Sequence, residues 1–492
     1  MVSVHSIRSW IHISKIFPYL GDILKFNALF LLFPVPVALH YHEPIFLFVA
    51  ASLASFASGW LIGSGQKKEL TLGEAMLLTI TTLLLVSALS SIVYMGVFTD
   101  AIHVRIVNSF FESVSGYTTT GLSIITPTQI ESYPKSVLFL RAVSQWIGGV
   151  GIIVMFMLIA SYRDFNIPII YKSERGDQKV HPSSYSNAKE LFKIYCFYSL
   201  AGVMLLFISG MDWYSSFYNT MCSISTGGFW HNNSKPYVGL FSEGITIAMM
   251  LLGSMGFFLH YTLINGRLGD VLRNIEVKAM AIVILIGIIM FTNMLYTDVL
   301  FGLENFGETL DESVFNVVSA ATTTGYSTID FASITDFGKL TTTLLMIIGA
   351  GVNSTGGGIK LMRFVIIIYS IMWMIKKTIL PQKAIVPFKI HETMVEDYET
   401  EHAFIQVAAH ITILMVGALL LTAYGYNAAD SLFVSSSAIG TVGLSTLPIH
   451  ELAVTLKLYL TLEMLIGRVE TLPVLVLMTY AINYARGILK QG

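Results

Sequence analysis

Four short polar segments hold the residues of this 492-residue chain whose types and spacing could do chemistry. The first runs from Phe111 through Ser115-Gly116-Tyr117-Thr118-Thr119-Thr120-Gly121-Leu122-Ser123. The second runs from Tyr218 through Cys222-Ser223-Ile224-Ser225-Thr226-Gly227-Gly228-Phe229. The third runs from Phe315 through Ser319-Ala320-Ala321-Thr322-Thr323-Thr324-Gly325-Tyr326-Ser327, and the fourth from Phe433 through Ser437-Ala438-Ile439-Gly440-Thr441-Val442-Gly443-Leu444-Ser445. They align without gaps. In each, a Thr stands two residues before a Gly, an aromatic ring ten before it, and a bulky apolar residue just after it.

Thr-x-Gly at membrane depth has a specific use. Backbone carbonyls can face a pore only where the chain gives up its regular hydrogen bonds, and Gly accepts the angles this requires at little steric cost. Such backbone survives inside a bilayer only where it lines a water-filled path or is buried in protein. The dozen residues before each Gly read as a half-helix whose C-terminal carbonyls point toward a pore centre, where a cation is favoured. Four loops around an axis make stacked rings of carbonyl oxygens that replace the hydration shell of a monovalent cation. The ion-contacting candidates are Thr119, Thr120 and Gly121; Thr226, Gly227 and Gly228; Thr323, Thr324 and Gly325; and Thr441, Val442 and Gly443. One copy alone would read equally as a small-residue helix contact; four in the same slot do not. Glu112, ahead of the first loop, could stabilise a cation or bond amides of its own half-helix.

A second group lies in the apolar run from Lys339 to Thr378. As one straight helix it would be roughly 60 Å long, twice the hydrocarbon thickness. Gly349-Ala350-Gly351-Val352-Asn353-Ser354-Thr355-Gly356-Gly357-Gly358 must break it, since five glycines and three polar side chains do not stay helical. Lys360 is not placed as in a phosphate-binding loop, so nucleotide binding is set aside. The stretch either obstructs the pore as a movable gate, through Gly351, Asn353, Ser354, Thr355, Gly356 and Gly357, or only fits a long segment into the bilayer. Arg468 is the other gate candidate. A central Arg costs about 2.5–3.5 kcal/mol on insertion scales, so it faces protein or water. It either lies under the filter near the glycine loop, repelling cations and tying a closed gate, or pairs with a group on another helix. Lys360 and Arg363 are expected to snorkel from the cytosolic half of the broken helix, and Arg141 to anchor its helix at the outer face.

The elements that position these groups must lie in a membrane. The chain is 54% hydrophobic and 12% charged, where soluble domains run near ~25% charged. A net charge of −2 gives no electrostatic case for a nucleic-acid partner. Cys196 and Cys222, with no Cys/His ligand spacing, argue against a disulfide framework or a structural zinc. Ten apolar stretches are long enough to span: 23–41, 44–63, 74–98, 136–160, 191–211, 244–265, 278–301, 339–378, 402–424 and 455–482. The first follows Arg8, Lys15 and Lys25 as a signal peptide would, but no small-residue cleavage site comes after His40 and Tyr41, and it reads as a span. Basic residues gather in 161–193, 266–278 and 376–389, which puts both termini in the cytoplasm. The expected fold is an all-α integral membrane protein of about ten transmembrane helices. An N-terminal helix pair, 1–70, precedes four consecutive helix–pore-loop–helix repeats with fourfold pseudosymmetry: 71–165, 185–266, 276–380 with its second helix broken, and 400–492.

Three further motifs accompany the loops: Gln145-Trp146-Ile147-Gly148-Gly149, Ser354-Thr355-Gly356-Gly357-Gly358-Ile359-Lys360 and Gly467-Arg468-Val469-Glu470. With the loops they resemble the Trk/Ktr/HKT superfamily of potassium transporters, most nearly its bacterial TrkH/TrkG branch, across nearly the whole chain. The resemblance implies potassium uptake through a selective pore in a bacterial inner (cytoplasmic) membrane, with K+ as the transported ion and no organic cofactor. It also implies a homodimer gated by a cytosolic nucleotide-binding, TrkA-like regulatory subunit. In some members a Ser at the first-loop Gly goes with sodium preference; four glycines here favour potassium. The second loop departs from the pattern, with Gly227 ahead of the shared Gly228 and Trp230 where a small polar residue is usual. The cytosolic loops 161–190 and 376–401 are the expected docking surface, by analogy. The alternative is a symporter driven by H+ or Na+; the repeats, parallel rather than inverted, and the lack of paired intramembrane carboxylates weigh against it. No His-Glu-x-x-His or Gly-x-Ser-x-Gly motif points to an enzyme.

Overall fold

Proline and glycine punctuate the first apolar runs. The computed structural model describes residues 12–160, 184–232, 235–297, 306–381, 386–390, 393–471, 473–475 and 477–480. Helix α1 (Phe17–Phe30) stops short of Pro34, and α2 (Val35–His40) resumes with Pro36 in its first turn, where no N–H donor is needed. Helix α3 (Phe46–Ile62) returns beside α1. Glycines let the two meet: a Cβ at Gly21 would collide with the backbone of Gly63, and one at Gly59 with the carbonyl of Gly21.

Four units follow. The first is α4 (Leu72–Met95), opened by a Thr71/Glu74 capping box, then α5 (Ile102–Tyr117) and α6 (Lys135–Ala160). The second is α7 (Ser184–Ile208), α8 (Trp213–Ile224), α9 (Leu240–Ser254) and α10 (Phe257–Ile264). A short connector, α11 (Leu268–Arg273), leads to the third: α12 (Ile275–Thr297), α13 (Phe306–Ala321), α14 (Asp336–Ile348) and α15 (Leu361–Ile379). The fourth is α16 (Asp397–Ala423), α17 (Ala428–Ile439) and α18 (Val454–Val469). The short helices α5, α8, α13 and α17 carry the loops. The second long helix of each unit packs on the next unit's short helix: α6 on α8, α9 on α13, α14 on α17, and α18 back on α5. One chain thus closes a ring.

The ring is polar inside and apolar outside. Ser109, Ser113 and Ser115 of α5 and Ser431, Ser435, Ser436 and Ser437 of α17 are fully buried, whereas Trp60, Ile208, Leu240 and Ile379 are each more than two-thirds exposed. In water such an apolar surface would need a partner; in a bilayer it meets lipid. The segments 17–40, 73–95, 189–208, 275–297 and 397–423 are each long and apolar enough to cross, and α9 with α10 makes a sixth across a 117° bend.

Two expected spans are broken rather than continuous. The stretch 244–265 turns at Met255, whose ψ of 145° leaves the helix, and 455–482 turns at Glu470, whose φ is +66°. The glycine-rich break in the third unit therefore has counterparts in the second and fourth, while α6 runs on through Gly148 and Gly149. Among the described residues the strand content is one antiparallel pairing, Lys389–Ile390 with Thr393–Met394. Phe388, Ile390 and Val395 around it pack with Ile275, Met362 and the glycine-loop residue Val352. Much of the expected docking surface, 161–183, 382–385 and 391–392, lies outside the described residues.

Candidate ion pore

The four short helices stop at equivalent residues, Tyr117, Ile224, Ala321 and Ile439, and all end in the same turn. In each, an amide bonds back to a carbonyl five residues earlier: Thr120 to Ser115 (2.9 Å), Gly227 to Cys222 (2.8 Å), Thr324 to Ser319 (2.8 Å) and Val442 to Ser437 (2.8 Å). This helix ending places one residue in the left-handed region, normally a Gly. Here it is a Thr every time: Thr119 (φ +54°), Thr226 (+51°), Thr323 (+58°) and Thr441 (+50°). A β-branched residue there costs on the order of 1–3 kcal/mol and persists only when its surroundings over-determine it. Two residues on, Gly121, Gly228, Gly325 and Gly443 have φ between +66° and +98°. The aromatic rings ten residues earlier, Phe111, Tyr218, Phe315 and Phe433, are fully buried and wedge the short helices in place.

These turns bring the loops together. A Cβ added at Gly121 would strike the carbonyl of Gly227; one at Gly228, that of Thr324; one at Gly325, that of Val442; and one at Gly443, that of Thr120. The contacts run from loop one to two, three, four and back to one, so the loops circle a common axis in chain order. Amides behind the ring are tied back, Gly121 to Ser115 Oγ (3.1 Å) and Gly443 to Ser437 Oγ (3.0 Å). Hydroxyl pairs Thr118–Thr120 and Thr322–Thr324, both 2.8 Å, brace loops one and three.

Beside the loops lies a buried ion pair. Arg141 Nε donates to Glu112 Oε1 at 2.8 Å, Nη1 to the Trp230 carbonyl at 2.7 Å and Nη2 to Ser123 Oγ at 2.9 Å, with the guanidinium 4.0 Å from the Phe229 ring centre. Glu112 also accepts from the Ile124 amide at 2.8 Å. Its oxygens hold the first loop's exit rather than facing an ion, and Arg141, read from sequence as an outer-face anchor, instead bridges loops one and two. His231, after the second loop, packs edge-on against Tyr218 and Tyr214; burial pushes its imidazole down to about 4, keeping it neutral near pH 7.

The glycine stretch forms a loop from Gly349 (φ +74°) to Lys360 (φ +79°), packed against the left-handed threonines. The Gly357 amide donates to Thr323 Oγ1 (2.8 Å), Thr355 Oγ1 lies 3.1 Å from Thr226 Oγ1, and a Cβ at Gly357 would strike Thr441 Oγ1. Gly356 has no room for a Cβ beside Ala350 and Thr323. The loop's near end is gripped by the second unit: Gly351 N bonds Ser254 O (2.9 Å), Phe257 N bonds Asn353 O (3.1 Å), and Ser354 Oγ closes on Gly351 O (2.6 Å). Arg468 donates through Nη1 to the Thr355 carbonyl and through Nη2 to the Gly148 carbonyl at 2.7 Å. All seven gate candidates therefore meet on one side of the filter, and Arg468 uses carbonyls rather than a carboxylate.

Two neighbours depart from the snorkelling expected of them, and a third escaped the sequence reading. Lys360 does not snorkel; it is buried and donates to the Gly356 carbonyl within its own loop. Arg363 pairs with Glu470 at 2.5 Å, joining the third and fourth units at their breaks. Glu276, at the start of α12, accepts the Val352 amide at 3.1 Å. Nothing in its sequence context marks it, because its partner is a backbone group 76 residues away. Among the described residues no His, Cys, Asp and Glu side chains group to hold a metal.

Four helix–loop–helix units circling one axis within a single chain define a fourfold pseudosymmetric membrane-transport fold. The chain belongs to the TrkH family: the profile described as a cation transport protein matches residues 42–484. An uncharacterized cation transporter of Methanocaldococcus jannaschii is 31% identical over 94% of this chain and 95% of its own length. The Trk system potassium uptake protein TrkI of Halomonas elongata is 27% identical over 96% and 97%, and TrkH of Escherichia coli K12 is 27% identical over 88% and 90%. The crystal structure of the potassium transporter TrkH from Vibrio parahaemolyticus matches the fold with a TM-score of 0.82 at 22% identity, over 94% of this chain and 98% of that one.

Proposed function

We propose that the chain is the ion-translocating membrane subunit of a Trk-type potassium uptake system. The observation that carries the reading is the cyclic contact of the four loop glycines, each set against the carbonyl of the next loop. Carbonyl rings of this kind replace the hydration shell of a monovalent cation. The relatives named as potassium uptake proteins support K+ as that cation. The filter is formed by the twelve loop residues from Thr119 to Gly443 named above, and the Gly349–Lys360 loop with Arg468 is the gate. The chain transports rather than catalyses. Its four units and N-terminal pair divide at the boundaries read from the sequence. It sits in the cytoplasmic membrane with both termini in the cytosol, as a homodimer regulated by a cytosolic nucleotide-binding, TrkA-like subunit; the basic loops support the orientation.

The test is passive flux of K+, Rb+, Na+ and Li+ through the purified chain in liposomes under an imposed potential. Flux of K+ and Rb+ well above Na+ and Li+ is expected. Flux that appears only with a proton or sodium gradient would make the chain a coupled symporter instead.

A further inference from the structure

The second loop breaks the pattern of the other three, and a neighbouring side chain accounts for the break. Gln145, on α6 and fully buried, donates from Nε2 to the Gly227 carbonyl at 2.5 Å and accepts the Phe229 amide on Oε1 at 3.2 Å. A carbonyl can only accept and an N–H can only donate, so these two contacts fix the amide's orientation. A Cβ at residue 227 would run into that same amide. Gly227, where the other loops have Thr120, Thr324 and Val442, is therefore the cradle that admits Gln145.

The equivalent positions on the other units are apolar. Gln145 is the eleventh residue of α6; the eleventh residues of α9, α14 and α18 are Met250, Met346 and Met464, all fully buried. The register is secured three residues further on. There Gly148, Gly253 and Gly467 back onto the last carbonyls of the short helices, at Tyr117, Ile224 and Ile439. The Gly227 carbonyl belongs to the ring that includes those of Thr120, Thr324 and Val442. Among the described residues no protein donor reaches those three.

We propose that Gln145 is a specificity-determining residue of the pore, a positioning group that holds the Gly227 carbonyl and weakens it as an ion ligand, so that one quadrant of the ring presents a lower field than the rest. This rests on the potassium-filter reading above. A hydrogen bond already made to a carbonyl withdraws part of the electron density it offers an ion. A weaker ring tolerates Rb+ and K+, which shed water readily, and penalises Na+ and Li+, which demand strong ligands. Gln145 therefore adds to discrimination without contacting the ion.

The experiment is the Rb+:Na+ flux ratio in liposomes for the full chain and for Gln145→Met, which gives unit one the residue its three counterparts carry. A retained Rb+ flux with a ratio reduced roughly fivefold, the worth of about one hydrogen bond, is expected. Gln145→Leu, which likewise has no donor for the Gly227 carbonyl, should reduce the ratio in the same way and carries the test should Gln145→Met not assemble. An unchanged ratio in an assembled variant, beside a selective parent chain, overturns the proposal and leaves the filter intact. A parent chain that does not distinguish Rb+ from Na+ overturns the filter reading, and this proposal with it.

Discussion

Arg141 has a carboxylate partner and Arg468 bonds two carbonyls, and the two substitutions should differ accordingly. Removing one member of a buried ion pair strands the other charge, at about 3–5 kcal/mol. Arg141→Met is expected to lower the thermal unfolding temperature sharply, and Arg141→Met with Glu112→Gln to recover part of the loss. Arg468→Ala strands no opposite charge among the described residues; it should leave the fold standing and raise resting Rb+ flux several-fold, read by the liposome assay. Residue identity revealed some of this and concealed the rest. A lone Arg in an apolar run announces that it needs a polar neighbour, but not that the neighbour is the Thr355 carbonyl. The filter glycines announce unusual dihedrals; the left-handed threonines beside them do not, because Thr is ordinarily the worst choice there. Glu112 and Arg141 are 29 residues apart on different helices, and no local periodicity links them.

At the scale of elements, the break in the third unit was legible because five glycines sit together in a run too long to span. The breaks at Met255 and Glu470 were not, since each follows an ordinary apolar helix and needs only one residue to leave helical dihedrals. The three breaks act on one another. Ser254 and Phe257 flank the second and grip the glycine loop, while Arg363 and Glu470 tie the third to the fourth. The loop is further held at Val352, whose amide Glu276 of α12 accepts and whose side chain packs on the Phe388–Val395 cluster. Shortening 351–357 removes the Thr323 and Thr226 contacts together and should raise Rb+ flux several-fold without any regulatory subunit. Unchanged flux in a well-folded deletion would leave the loop as mere connection.

Across the whole molecule, fourfold repetition was legible from four aligned loops, and the order of the ring follows from it. The seam was not: α18 meets α5 through Lys457 Nζ, which donates to Asn108 Oδ1 at 3.0 Å and the His450 carbonyl at 2.8 Å. Neither partner of this buried ammonium is marked by the sequence around Lys457, since Asn108 lies 349 residues away. Lys457→Met leaves the Asn108 side chain and a carbonyl without their donor, and should cost about 1–3 kcal/mol in detergent unfolding while sparing the Rb+:Na+ ratio. That seam joins residues 349 apart. At typical translation speeds α5 waits on the order of half a minute for α18 to be made. During that interval the serines and threonines of the first unit have no wall on one side, inside a bilayer that offers them no hydrogen bonds. A ribosome that stalls late therefore leaves an open polar wedge in the membrane, the kind of flaw that insertion factors and membrane proteases are equipped to detect.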